Sequence, residues 1–141
     1  MKTVVCLFCP RDGKYLAVSR RNDSTRWCMP GGKVDENESS IEAIQREVRE
    51  ETGIIAAMIA FDPLFSGRCS VDHHYWVTSY LWVDPYQVED YELRAEDGLQ
   101  VAWKTETELC DPRISPFASY NRRVFAAFHE YTNSQYEESK T

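Results

Sequence analysis

No stretch of this chain approaches the roughly 18 consecutive apolar residues that a membrane-spanning helix needs, which argues against a spanning segment. A basic stripe is also missing. Lys and Arg total 16 against 23 Asp and Glu, a net charge of −7. A dedicated nucleic-acid binder would need clustered cations to meet phosphates. The opening residues, MKTVVCLFCPRDGK, lack a signal-peptide layout and read instead as a first strand. Cysteines number five; Cys6 and Cys9 have CxxC spacing, but no second pair completes a zinc site. The cysteines are therefore expected to be reduced and structural, in a cytoplasmic protein. There is no internal repeat and no linker. With 141 residues, 43% hydrophobic and 28% charged, the chain is expected to form one domain with a real core.

What the chain does have is concentrated between Gly32 and Ile54, GKVDENESSIEAIQREVREETGI. Ser39 followed three residues later by Glu42 is a capping box, so a helix is expected to start there. Gly53 suits the left-handed position that ends a helix. Between them Glu47, Glu50 and Glu51 stand at i, i+3 and i+4 and share one face. Ile41, Ile44 and Val48 form a neighbouring apolar stripe. Like charges at this spacing cost an isolated helix about a few tenths of a kcal/mol per pair. An oxygen-rich, unpaired cluster suits a hard divalent cation such as Mg2+ or Mn2+. The bland reading is a solvated acidic face with Arg46 and Arg49 as partial neutralisers.

The spacing of the whole stretch decides between them. Gly32, five residues, Glu38, seven residues, Arg46-Glu47, Val48, any residue, Glu50-Glu51, any residue, Gly53 and Ile54 match the Nudix box at all nine fixed positions. The chain therefore resembles a Nudix hydrolase. It looks MutT-like because Pro30-Gly31-Gly32-Lys33 precedes the box and Ser19-Arg20-Arg21 lies upstream. The resemblance implies an α/β fold, an αβα sandwich with a mixed central sheet, over residues 1–132. Residues 133–141 are expected to be a polar, disordered tail.

The order of segments is compatible with that fold. Thr3–Cys9 reads as a strand, Pro10-Arg11-Asp12-Gly13 as a turn and Lys14–Arg20 as the partner strand. Arg21–Arg26 is expected to be a polar loop, with Trp27–Met29 a short strand entering the glycines. After the helix, Ile55–Phe61 reads as a strand, turned by Asp62-Pro63, and Leu64–Cys69 continues the sheet. Tyr75–Val83 is the strongest strand signal. Asp84–Gly98 reads as an acidic surface loop, Leu99–Lys104 as a last strand and Pro116–Tyr131 as a closing helix.

By resemblance, Glu47, Glu50 and Glu51 hold one or more divalent cations, joined by a glycine-turn carbonyl from Gly31 or Gly32. Arg46 orients Glu47, and Glu38 pairs with Arg46; the alternative for Arg46 is a plain helix pair to Glu42 or Glu50. The general base is left open among Glu51, Glu89, Glu92, Glu96 and Asp97, with Glu51 favoured as a ligand. Arg20, Arg21 and Lys33 are candidate phosphate contacts. Trp27, Tyr75, Trp76, Tyr80, Phe117 and Tyr120 are candidates to stack on a base, although about half of strand aromatics face the core. One of His73 and His74 is a further substrate candidate. The implied reaction is Mg2+-dependent (Mn2+ as alternative) hydrolysis of a phosphoanhydride in a small nucleotide, first a nucleoside triphosphate. A dinucleotide, nucleotide sugar, NAD or ADP-ribose, or a capped RNA end are alternatives, and a non-catalytic nucleotide sensor is a third class. The family implies a monomer or a homodimer.

Overall fold

Strand β1 (Lys2–Phe8) shows how the sequence divides its apolar residues between two cores. Successive side chains on a strand point to opposite faces. Val5 and Leu7 enter one buried cluster, with Ala43, Ile44 and Val48 of helix α1 (Ser40–Thr52). Phe8 enters the other, with Tyr120, Val124 and Phe125 of helix α3 (Ala118–Lys140). Strand β3 (Lys14–Arg20) does the same: Leu16 joins the first cluster, Tyr15 and Ala17 the second. Each helix thus covers one apolar core, giving the αβα layering. This computed structural model describes residues 2–21, 23–56, 60–69, 75–82, 93–96 and 98–140, except the side chains of 139 and 140.

The remaining strands are β2 (Pro10–Arg11), β4 (Asp23–Cys28), β5 (Gly31–Lys33), β6 (Phe61–Arg68), β7 (Tyr75–Trp82) and β8 (Val101–Lys104). One sheet runs β5-β1-β7-β6 and is mixed: β1 and β7 are parallel, the other pairs antiparallel. In the second sheet β3 pairs antiparallel with β2, β4 and β8. Asp12 (φ 51°) and Gly13 (φ 76°) form the β2–β3 hairpin turn, both with the positive φ that a two-residue hairpin of matching twist requires. Among the described residues no helix is long and apolar enough to cross a membrane.

Several expectations need correction. Residues 21–26 are not simply a loop, since β4 begins at Asp23 and its Asp23, Trp27 and Cys28 lie opposite Arg20, Ser19 and Val18. Ser24 and Thr25 are exposed on this strand, so its polar composition mimics a loop. Residues 54–56 are irregular rather than a strand, with Ile55 68% exposed. The strand starts at Phe61 and runs through Asp62-Pro63, where a register shift between Pro63 and Phe65 takes the place of the expected turn. Proline is tolerated there because β6 is an edge strand. A short helix α2 (Glu106–Leu109), capped by Thr105 and Glu108, went unanticipated. The expected disordered tail is also absent over 133–140: α3 continues to Lys140.

Candidate active site

Helix α1 is framed as its sequence dictates. Ser39 accepts from the Glu42 amide at 3.1 Å and Glu42 Oε1 accepts from the Ser39 amide at 3.1 Å. Gly53 closes it at φ 81°. With both ends fixed, the register of Glu47, Glu50 and Glu51 is set relative to β5, against which α1 packs. The contact is close. The Gly31 amide donates to Glu51 Oε1 at 2.8 Å, and a Cβ on Gly32 would overlap the Glu47 carboxyl. Gly31 faces the other way, where a Cβ would strike the β1 backbone at Val5 and Cys6. The two glycines let the turn lie between β1 and the carboxylates.

Arg46 organises the acidic face. Its Nε and Nη2 donate to the two Glu38 oxygens at 2.8 and 2.9 Å. Its Nη1 donates to Glu47 Oε1 at 2.8 Å, and its Nη2 to the Lys33 carbonyl at 3.1 Å. Glu50 is reached at 3.5 Å, while Glu42 serves the cap instead. This fork is the bidentate geometry that favours arginine over lysine. Its hydrogen bonds hold the Glu38 carboxyl down at about 2.

Glu51 is pushed the opposite way, to about 8. Burial is the main cause, the Gly31 amide opposes it, and the neighbouring Glu47 and Glu96 carboxylates add to it. Glu47 is also raised, by burial against the pull of Arg46. The two carboxyls hydrogen-bond to each other, so one proton is shared between them. A proton trapped between two carboxyl oxygens beside a glycine-turn backbone marks a place where a hard cation fits. Among the described residues no three acidic, histidine or cysteine side chains yet converge on one point. Glu50, 46% exposed, leans on Arg46 instead.

Beside the glycine turn lies a cleft of about 400 Å3. Arg20, Lys33, Tyr75, Phe117 and Tyr120 line it, so five of the seven committed substrate-contact candidates meet there. The Arg20 guanidinium lies over the Phe117 ring at 5.3 Å, and Lys33 Nζ over Tyr75 at 5.5 Å. The other two stand elsewhere. Trp27 is 7% exposed in the α3-side core, with Lys104 Nζ 4.3 Å from its ring. Arg21 pairs with Glu96 at 3.2 Å. Tyr80 is core and Trp76 is 42% exposed, and neither lines the cleft. His73, His74, Glu89, Glu92 and Asp97 lie outside the described residues.

Sequence reasoning missed four cleft residues. Cys6, Cys28 and Cys69, scattered along the chain, line the same space, and so does Asn121. All five cysteines are free thiols. Burial raises Cys6 to about 12 and Cys28 to about 11, which keeps both neutral. Asn121 had one signal: an amide at an apolar position of a helix must find partners or face a site.

Residues 1–128 match the NUDIX domain family. The CTP pyrophosphohydrolase of Escherichia coli K12 is 43% identical over 122 residues, covering 82% of this chain and 84% of that protein. The nucleoside triphosphatase NudI of Escherichia coli is 38% identical over 56 residues, which is 37% of this chain and 40% of that one. The chain spans 33%, 11% and 28% of three other curated relatives that it matches. The solution structure of the Escherichia coli ORF135 protein shares the fold with a TM-score of 0.71 and 26% identity, over 92% of this chain and 91% of that one. With a complete box folded around the Gly31–Glu51 contact and the family match covering residues 1–128, the chain belongs to the Nudix hydrolase family and is MutT-like.

Proposed function

We propose that the protein hydrolyses a phosphoanhydride of a nucleoside triphosphate, giving a nucleoside monophosphate and pyrophosphate, with Mg2+ or Mn2+ as cofactor. One observation carries this reading: the proton-sharing Glu47–Glu51 pair sits against Gly31-Gly32, which also line the cleft that holds cations and aromatic rings. Phosphate chemistry and base stacking need those two surfaces side by side. The names of the relatives, a CTP pyrophosphohydrolase and a nucleoside triphosphatase, support a triphosphate substrate. Free thiols throughout suit a reducing, cytoplasmic setting.

Glu47, Glu50 and Glu51, with a carbonyl of the glycine turn, would hold the cation. When bound, such an ion neutralises phosphate charge and acidifies a water. The chain does the rest. Arg46 fixes Glu47 and is itself gripped by Glu38. The Gly31 amide fixes Glu51. Lys33, at the rim beside Tyr75, offers charge to the phosphates, and Phe117 and Tyr120 offer faces to the base. Two carboxylates can take the proton of the attacking water: Glu51, and Glu96, whose charge is felt at Glu51.

The test is hydrolysis of a panel read by product mass with Mg2+. It would hold canonical and oxidised nucleoside triphosphates, ADP-ribose, diadenosine polyphosphates, NAD and nucleotide sugars. Triphosphates should give monophosphate and pyrophosphate. Cleavage of dinucleotides or nucleotide sugars alone would move the substrate class, and no cleavage at any metal concentration would overturn the reading.

A further inference from the structure

The wall of the cleft formed by α3 and β1 carries polar atoms that the phosphate chemistry does not use. Asn121 lines the cleft and is 2% exposed. Its Nδ2 donates to the Leu109 carbonyl at 2.8 Å and to Ser115 Oγ at 3.3 Å. A carbonyl can only accept, so the orientation of the amide is fixed and both its protons are engaged. No described residue donates to Oδ1. Yet among the described residues no buried side-chain oxygen that is sealed from open space lacks a partner. Oδ1 therefore opens into the cleft it lines, as a bare acceptor.

A second chain of bonds gives the same polarity. The Tyr120 hydroxyl donates to the Val77 carbonyl at 3.2 Å. It has one proton, so it must accept from Ser79 Oγ, 2.9 Å away. Ser79 in turn accepts from the Cys6 thiol at 2.8 Å. The Cys6 proton is thus directed into the protein, and its sulfur has only lone pairs left for the cleft. Arg20 is the donor of the cleft, lying over Phe117 and hydrogen-bonded to Cys28.

An acceptor wall with a separate donor selects among bases. Cytosine presents an amino donor, then a ring nitrogen and a carbonyl that both accept. Uracil presents a keto oxygen and a ring N–H in the first two places. Against Asn121 Oδ1, the uracil oxygen would leave two acceptors facing each other, out of reach of water. We propose that this cleft reads the 4-amino group of a cytosine base through Asn121 Oδ1, while Arg20 donates to the accepting edge. Asn121 is then a specificity-determining residue. The inference rests on the nucleotide reading above and adds the base to it.

Binding without metal tests it apart from turnover. CMP should bind the wild-type protein about tenfold or more tightly than UMP, the discrimination expected when a buried polar group is left unpaired. The monophosphate of pyrimidin-2-one ribonucleoside, which lacks the amino group, should lose most of that advantage. Asn121→Ala should bring the CMP to UMP ratio close to one; if that variant fails to fold, the wild-type series decides alone. Equal binding of CMP and UMP, or AMP bound more tightly than CMP, overturns the proposal. CTP and UTP are then assayed with Mg2+. Absence of cleavage with the CMP preference intact would sink the hydrolase reading and keep this one. Equal cleavage together with equal monophosphate binding would do the reverse.

Discussion

The amide of Gly31 donates to Glu51 Oε1 at 2.8 Å, tying the glycine turn to the last turn of α1. It does so while the Glu51 carboxyl also bonds to Glu47. The group that has most to gain from a cation is thereby held in place before any ligand arrives.

Glu51→Gln separates charge from shape. The amide oxygen still accepts from Gly31, and the amide nitrogen still donates to Glu47. The melting temperature of the metal-free protein should be unchanged or higher. Turnover should fall by at least about 10²-fold, the lower range for a positioned acid–base or ligand group. Steady-state kinetics beside a thermal melt checks both, and undiminished turnover would remove Glu51 from the site.

The raised Glu51 also fixes a pH dependence. In the folded protein it keeps its proton to about 8, whereas the unfolded chain releases it near 4.5. Between those values the folded state binds more protons, so stability falls as pH rises. The metal-free protein should lose melting temperature steadily across this window, and Glu51→Gln should lose less. Mg2+ added at pH 8 should restore stability with little proton release, and at pH 6 with clear proton release. A melt and a proton count by weakly buffered titration read the two effects.

Arg46→Lys removes the fork but keeps the charge. Glu38 loses its bidentate partner and Glu47 its anchor. Turnover is expected to drop about 10–100-fold, as for other residues that orient a metal ligand. The Glu38→Gln change added to it should cost little more, because both act on one unit. Fully additive losses in this double-mutant cycle would contradict the arrangement.

Two glycines predict different penalties. At Gly31 an added Cβ meets the backbone of β1, with Cys6 Cα at 2.7 Å, and neither strand can yield. Gly31→Ala should cost about 3 kcal/mol, the upper end for overpacking. At Gly13 the space is open and only φ +76° resists. Gly13→Ala should cost about 1 kcal/mol. Urea denaturation of both variants orders them.

The box and its helix were legible because both depend on short covalent spacing: Ser39 with Glu42, Arg46 with Glu38, and Gly53 as the stop all act within a few turns. The αβα layering was legible through the alternation of Val5, Leu7 and Phe8. Residues placed by distant partners were not. Trp27 reads as a free aromatic until Lys104, from another strand, covers it. Arg21 reads as a free cation until Glu96 meets it. The 133–140 segment is polar, which suggests disorder, but Glu, Gln and Lys favour helix and it continues a helix already packed at Val124 and Phe125.

The parallel pairing of β1 with β7 has a kinetic consequence. The Cys6–Ser79 bond joins residues 73 positions apart, and β1 meets β7 along its whole length. Closing so large a loop is entropically slow and must precede every contact that depends on it. A chain emerging from the ribosome would therefore hold its metal-ligand helix, a local structure, well before the base cleft exists. In refolding, helix signal should recover ahead of nucleotide binding, and the first strand should stay open to hydrogen exchange until β7 has arrived.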